Sequence, residues 1–380
     1  MKKPKNGSFL SRDHKYVYLI GSLAALFALS LIYSKAPTPY SFITSGGFLQ
    51  VLFTVVCGIF LLISAAAMLV KFTRWDSYKD SFIKKPFMLK AARYLSYALA
   101  AVLILTVLDR FVLHLIYLIR ISRDLTSNPE SFVESMVYMS VKGSGMILTG
   151  IWTTVRLALL GTAIAFVLAI LMVFLRIQVP NRRDNDLVKT VKIAVSYFAR
   201  FYIFVIRGTP MMVQALIFYY FGFNLFKRTG MTVSEINKVW SFFISGLCTV
   251  SLNSTAYLTE VLRGGILAID GGQAEAARSL GMTNWQAMTK VVFPQAVKNS
   301  IPAIGNEFII NIKDSSVLSV IGVLDLMYAT KSISGIYYRS LEIYCVAAIV
   351  YLILTWLSSL LLKFISRKME TPVKEIPSSN

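Results

Sequence analysis

The chain has 380 residues, of which 56% are hydrophobic and 15% charged, with a formal net charge of +20. A soluble domain carries about 45–50% apolar and about 25% charged residues, so this balance excludes an ordinary soluble fold and points to a polytopic membrane protein. The basic excess would suggest nucleic acid as a partner of a soluble protein, but cytoplasmic loops of membrane proteins collect Lys and Arg, and no nucleic-acid partner is expected.

A helix needs about 20 apolar residues to cross a bilayer core. Taken in chain order, eight candidate spans satisfy this: Tyr16–Tyr33, Phe48–Val70, Tyr94–Ile119, Met146–Leu175, Ile193–Phe223, Val239–Leu262, Val297–Leu318 and Ile343–Phe364. The first follows a basic tail without a clean small-residue cleavage site and reads as a retained anchor. Asp109–Arg110 interrupts the third span, and Arg207-Gly208-Thr209-Pro210 the fifth.

Loop charges set the orientation. Five Lys/Arg lie in Met1–Lys15, seven in Lys71–Arg93 and five in Arg176–Lys192, while the alternate loops are poorer. The positive-inside rule then places both termini in the cytoplasm. The composition shifts at Asn128-Pro129-Glu130, dividing three N-terminal spans (1–130) from a later region (146–365) that carries every motif below. Residues 369–380 form a polar tail expected to be disordered.

Cys57, Cys248 and Cys345 fall in separate apolar runs and form no pairing framework, so they read as small buried hydrophobes. With only His14 and His114 present, a histidine metal site has little to build on, and none is expected. No catalytic triad or paired-carboxylate site is visible, so no catalytic residue is assigned.

Between spans six and seven lies a polar stretch, EAARSLGMTNWQAMTKVVFPQ. Glu275–Leu280 are strong helix formers, and Gly281 stands where a C-terminal glycine would end that helix. Thr283 or Asn284 can cap a second helix, which Pro294 then bends or breaks. Ala276, Ala277 and Leu280 share a face by spacing, and the small alanines would let this element enter a groove on another protein closely.

These residues resemble a family. Glu275, Ala276, Ala277, Gly281 and Pro294 match the E-A-A-x-x-x-G-x12-P cytoplasmic loop of bacterial ABC importer permeases. Arg207-Gly-Thr-Pro210 with Val213-Gln214, Ala256-Tyr257-x-x-Glu260-x-x-Arg263-Gly-Gly-Ile266, Gly272-Gln273, Pro294-Gln295-Ala296 and Ile312-Lys313-Asp314-Ser315-Ser316 are similar to its polar amino acid subfamily. The last differs mildly from the usual Lys-x-Thr/Ser-Ser-Leu, reading Val317 where Leu is usual. The resemblance covers about residues 146–365 and leaves 1–130 outside.

It implies an all-α membrane protein of about eight transmembrane helices, three added before a five-helix type I importer core, in the bacterial cytoplasmic membrane. It further implies a coupling loop (270–294) that docks a dimer of ATPase subunits. A second permease subunit, the same or related, and an extracytoplasmic solute-binding protein are the other implied partners besides lipid. The chain contains no GxxxxGK[ST] phosphate loop, so ATP hydrolysis falls to the ATPase, and no cofactor is expected on this chain. A signalling scaffold that senses solute through the first three spans is the competing reading.

Polar residues in apolar runs are candidates for a substrate pathway. Arg207 stands at membrane depth, where a charge costs a few kcal/mol unless it meets a partner or water. Gly208 and Pro210 would free backbone groups there. It reads either as a contact or gate for a substrate carboxylate, or as a snorkelling or paired structural charge. Thr209 and Gln214 flank it. Asn253, with Ser254 and Thr255, offers hydrogen bonds either to solute or to neighbouring helices. Glu260 pairs with Arg263 or meets a substrate amine. Glu307, Asn311 and Lys313 interrupt span seven and could form a polar stripe. Arg156 and Asp109–Arg110 are expected to pair internally.

Overall fold

A computed structural model of the chain describes residues 14–35, 38–73, 86–181 and 184–369, and among these there is no strand. The basic tail before residue 14, part of the basic loop Lys71–Arg93, and residues 370–380 of the expected polar tail lie outside the described residues. The chain divides into two compact units, 1–129 and 130–380.

The first unit contains α1 (His14–Ile32), α2 (Phe48–Thr73), α3 (Pro86–Val107) and α4 (Leu113–Asp124), with α1 packed on both α2 and α3. Its core is small and apolar: Ala25, Ala28, Ile32, Ile43, Phe53, Cys57, Phe60, Leu99 and Val102. A π turn, Leu108–Val112, joins α3 to α4. The third span is therefore not ended by Asp109–Arg110, and one apolar helical stretch runs from Lys90 to Asp124.

The charged pair inside it is consumed locally. Asp109, fully buried, accepts hydrogen bonds from Ser41 Oγ at 2.5 Å and from the N–H groups of Phe42 and Ile43 at 2.6 and 3.3 Å. Arg110 donates to the carbonyls of Leu31, Ile32 and Ile43 at 3.0–3.2 Å and lies 3.4 Å from Asp109. Burying a charge is tolerable when it is paired and its remaining donors and acceptors are used. Here both conditions hold. The knot fastens the end of α1 and the segment 41–43 to the π turn.

The second unit contains α5 (Phe132–Lys142), α6 (Ser144–Arg176), α7 (Asp186–Gly208), α8 (Met211–Arg228), α9 (Val233–Val239), α10 (Phe242–Leu267), α11 (Gly271–Ser279), α12 (Asn284–Ala287), α13 (Phe293–Asp314), α14 (Leu326–Tyr337) and α15 (Ser340–Met369). The pairing of α6 with α10 is the most extensive, and α13 packs across both. Small residues permit that approach: a Cβ on Gly161 would collide with Val250, and one on Gly265 with Ser300. A buried seam of Ala165, Ala169 and Val173 against Leu258, Leu262 and Ile266 continues this contact.

The eight expected spans are not equivalent. Phe48–Val70, Lys90–Asp124, Ser144–Arg176 and Ser340–Ser366 are long and apolar enough to cross a membrane on their own. The fifth expected span is two helices, α7 and α8, bent by 111°. Pro210, with no N–H and a fixed φ, caps the second arm, while Thr209 before it is extended, which is the physical reason for the break. The first span is represented by a shorter apolar helix, Leu19–Ile32, and the sixth and seventh lie on α10 and α13, which carry internal polar residues. The cysteines are free thiols.

Candidate functional site

The polar stretch after α10 begins earlier than its composition suggested. Asp270 caps α11 by accepting from Gly272 N–H at 2.6 Å, so the helix starts at Gly271 rather than Glu275. It ends at Gly281, whose φ of +83° is the left-handed conformation that glycine alone adopts without strain. The N–H groups of Gly281 and Met282 return to the carbonyls of Arg278 and Ala277. Thr283 and Gln286 then form a reciprocal capping box for α12.

Two expectations need correction here. Ala277 does not share an outward face with Ala276 and Leu280, because it is 3% exposed and turned into the chain's own packing, whereas Leu280 is 82% exposed. Nor does Pro294 end the second helix. The chain passes through a π turn, Met288–Val292, and Pro294 sits in the first turn of α13, where its missing N–H needs no partner.

The loop is anchored, not dangling. Phe174 near the end of α6 stacks against Trp285 and Phe293, with ring centroids 5.3 and 4.9 Å apart. Val292 and Ala296 join the seam formed by α6 and α10. Gln295 reaches Gln273 at 3.4 Å. Just beside this region, Glu260 bridges Arg176 on α6 at 3.4 Å and Arg263 at 2.8 Å. The ends of α6, α10 and α13 thus meet in one platform, whose tip presents Glu275, Ala276 and Leu280 outward.

The candidate pathway residues separate into two kinds. Gln214, Asn253 and Asn311 are buried and spent on other helices. The Gln214 amide donates towards the carbonyls of Ile206 and Thr209, and towards Thr209 Oγ1, at 2.7–3.0 Å, and its oxygen accepts from Asn253 at 2.9 Å. Asn311 donates to Thr162 at 2.8 Å and accepts from Ser254 at 3.0 Å. Glu260 is likewise held by its two arginines.

Arg207 is the other kind. It is exposed, has no carboxylate within salt-bridge distance among the described residues, and lies over the Tyr257 ring at 5.1 Å. Tyr257 interrupts a run of buried residues on α10 with 37% exposure. Glu307 is buried, also with no basic partner among the described residues, and Lys313, two residues beyond Asn311, is exposed. Arg156 departs from its expected internal ion pair: it is exposed and stacks on Phe243 and Trp152 at 5.0 and 5.9 Å. Sequence reasoning missed Tyr257 as a partner of Arg207, since the two are far apart in the chain and the conspicuous spacing on that helix was Glu260 to Arg263. It also missed Thr162, which has no signal beyond a hydroxyl in an apolar run.

Comparison with known proteins bears on the family of the chain. Residues 192–371 match the family described as binding-protein-dependent transport system inner membrane component. The nopaline transport system permease protein NocM of Agrobacterium fabrum is 31% identical over 227 residues, covering 59% of this chain and 87% of NocM. The glutamine transport system permease protein GlnP of Escherichia coli K12 is 34% identical over 175 residues, 46% of this chain and 76% of GlnP. Among solved structures, an amino acid ABC transporter crystallised with histidines superposes with a TM-score of 0.50 at 36% identity, covering 60% of this chain and 96% of that one. The chain therefore belongs to the inner-membrane component family of binding-protein-dependent transport systems, as a permease subunit of an amino acid ABC importer.

Proposed function

We propose that this chain carries polar amino acids across the bacterial cytoplasmic membrane. Work is supplied by an ATPase dimer docked at Glu275, Ala276, Gly281 and the turn that leads to Pro294. The observation that carries the docking assignment is the loop itself: an exposed tip, rigidly capped at each helix end, seated on the ends of α6, α10 and α13. A push on such a tip moves spanning helices instead of bending a flexible loop. Ala277 serves by packing the tip against the platform, not by touching the ATPase. The basic loops support a cytoplasmic location for this platform and for both termini.

The pathway borders the broken span. Arg207 and Tyr257 are offered to a substrate carboxylate, with Glu307 available to an amine. Thr209 and Lys313 flank it, and Gln214, Asn253 and Asn311 shape the wall through their hydrogen bonds. Glu260 holds the cytoplasmic ends of the wall helices together. Polar side chains of the relatives' substrates, glutamine and nopaline by name, support the polar class. A charge exposed at membrane depth is stable only against water or a partner, which supports a second permease subunit, identical or related, facing Arg207. Residues 1–130 form an added three-helix domain, 146–365 the core, and a solute-binding protein delivers substrate from outside.

The test is uptake of labelled amino acids by proteoliposomes holding this chain, its ATPase and its binding protein. ATP-dependent accumulation that disappears in Glu275→Lys, with the subunit still inserted, is the expected result. Accumulation without ATP, or undiminished in Glu275→Lys, would overturn it.

A further inference from the structure

The broken span raises a question that its proline does not answer. Pro210 explains why the helix stops, but not why the two arms hold one angle. A helix end leaves its last carbonyls without partners, and at membrane depth no water stands ready to satisfy them. Gln214, one turn into the second arm, turns its amide back across the break. Its nitrogen lies 2.7 Å from Ile206 O, 3.0 Å from Thr209 O and 2.8 Å from Thr209 Oγ1. Two N–H groups are shared among three acceptors, all belonging to the end of the first arm. The side chain is 5% exposed.

The same residue is gripped from the far side. Its Oε1 accepts from Asn253 Nδ2 at 2.9 Å, and Asn253 is itself 8% exposed. The neighbouring residue on α10, Leu252, accepts from Tyr202 Oη of the first arm at 2.6 Å through its carbonyl. Adjacent residues of α10 therefore hold the two arms on either side of the break, 202 on one and 214 on the other.

We infer that Gln214 is a clasp: it sets the angle of the broken span and, through Asn253, makes that angle follow α10, so that it acts as a positioning residue for the conformational cycle. The consequence for transport rests on the proposed pathway along this span; the effect on the angle does not. Movement of α10, which ends at the coupling platform, reaches both arms together while the clasp is closed. With the clasp removed, the second arm pivots independently about Thr209-Pro210.

The two parts are separable by experiment. The full chain, with Cys57, Cys248 and Cys345 replaced, is placed in lipid nanodiscs. Spin labels go on cysteines at Phe201 and Leu225, exposed positions on the two arms. A control pair, Leu187 and Phe201, lies on the first arm alone. Gln214→Leu should broaden the distance distribution across the break and leave the control pair unchanged; general loosening would broaden both and overturn the clasp, as would an unchanged distribution across the break. If Gln214→Leu does not fold, Asn253→Ala, which cuts only the tie to α10, should broaden the cross-break distances by a smaller amount. In proteoliposomes with the ATPase and binding protein, unlabelled Gln214→Leu should lower maximal uptake about tenfold with half-saturation unchanged. Broadened distances with full uptake would overturn the role in transport while leaving the angle assignment standing.

Discussion

Two stretches of this chain look alike on paper and behave differently in space. Asp109–Arg110 and Arg207-Gly-Thr-Pro210 both place charge inside an apolar run. In the first unit the helix continues through a π turn, and both charged groups are consumed by the segment 41–43, by the carbonyls ending α1 and by each other. In the second the helix breaks by 111°, the freed carbonyls are satisfied by Gln214, and the arginine is left outside, resting on Tyr257. The lesson concerns inference from cost. A buried charge that finds its partners within the chain contributes to architecture, whereas an exposed one with no ion-pair partner among the described residues is the better candidate for a proposed contact with solute.

The sharpest way to break this comparison is to remove one half of the buried knot. Asp109→Ala leaves Arg110 buried and uncompensated, and the expected loss is about 3–5 kcal/mol, read as a fall in the unfolding temperature of the full chain in detergent. A loss below about 1 kcal/mol would mean that the knot is no more structural than an exposed ion pair.

Gly281→Val comes next. A β-branched residue at φ +83° costs about 1–2 kcal/mol locally. The cost should be read at the platform, as loss of ATPase stimulation and faster proteolysis between α11 and α12, with membrane insertion intact. Arg207→Ala should scarcely move the unfolding temperature, within about 0.5 kcal/mol, because no ion pair is lost. A large destabilisation there would move Arg207 into the same class as Arg110.

The smallest effect is expected at a half-buried pair around the start of α7. Lys192 Nζ lies 2.6 Å from Asp184 and, together with the Asn181 N–H, holds that carboxyl below the usual carboxylate range. A lowered folded value means stability present above the ordinary carboxylate value and lost as pH falls through that value towards the lowered one. Lys192→Met should therefore lower stability slightly at neutral pH, with the difference from the parent vanishing as pH falls below the lowered value. A large change at neutral pH would show that half-buried pairs matter here as much as fully buried ones.

Much of this architecture was legible because it follows from local rules. Apolar run lengths located the helices, Gly281 and Thr283 announced the turn and the cap of the coupling loop, and ordered motifs identified the family. What stayed hidden depends on contacts between distant residues. Ala277 faces inward on a helix, α11, that packs against the π turn Met288–Val292, a contact that spacing within one helix cannot reveal. Pro294 continues a helix because a π turn precedes it and absorbs the register. The bend at Pro210 was suggested by Gly and Pro, but its stabilisation by Gln214 and Asn253 requires a residue pair 39 apart to meet. The pairing of Asp109 and Arg110 was expected, while their ties to residues 31–43 were not visible.

The most direct test of the contrast is uptake by the Arg207→Ala importer, normalised to the amount of folded subunit in the same vesicles. The account predicts a fall of about tenfold or more with the unfolding temperature and ATPase association unchanged. Uptake equal to the parent, or a fall that merely tracks the loss of folded subunit, would contradict it and return Arg207 to the architecture.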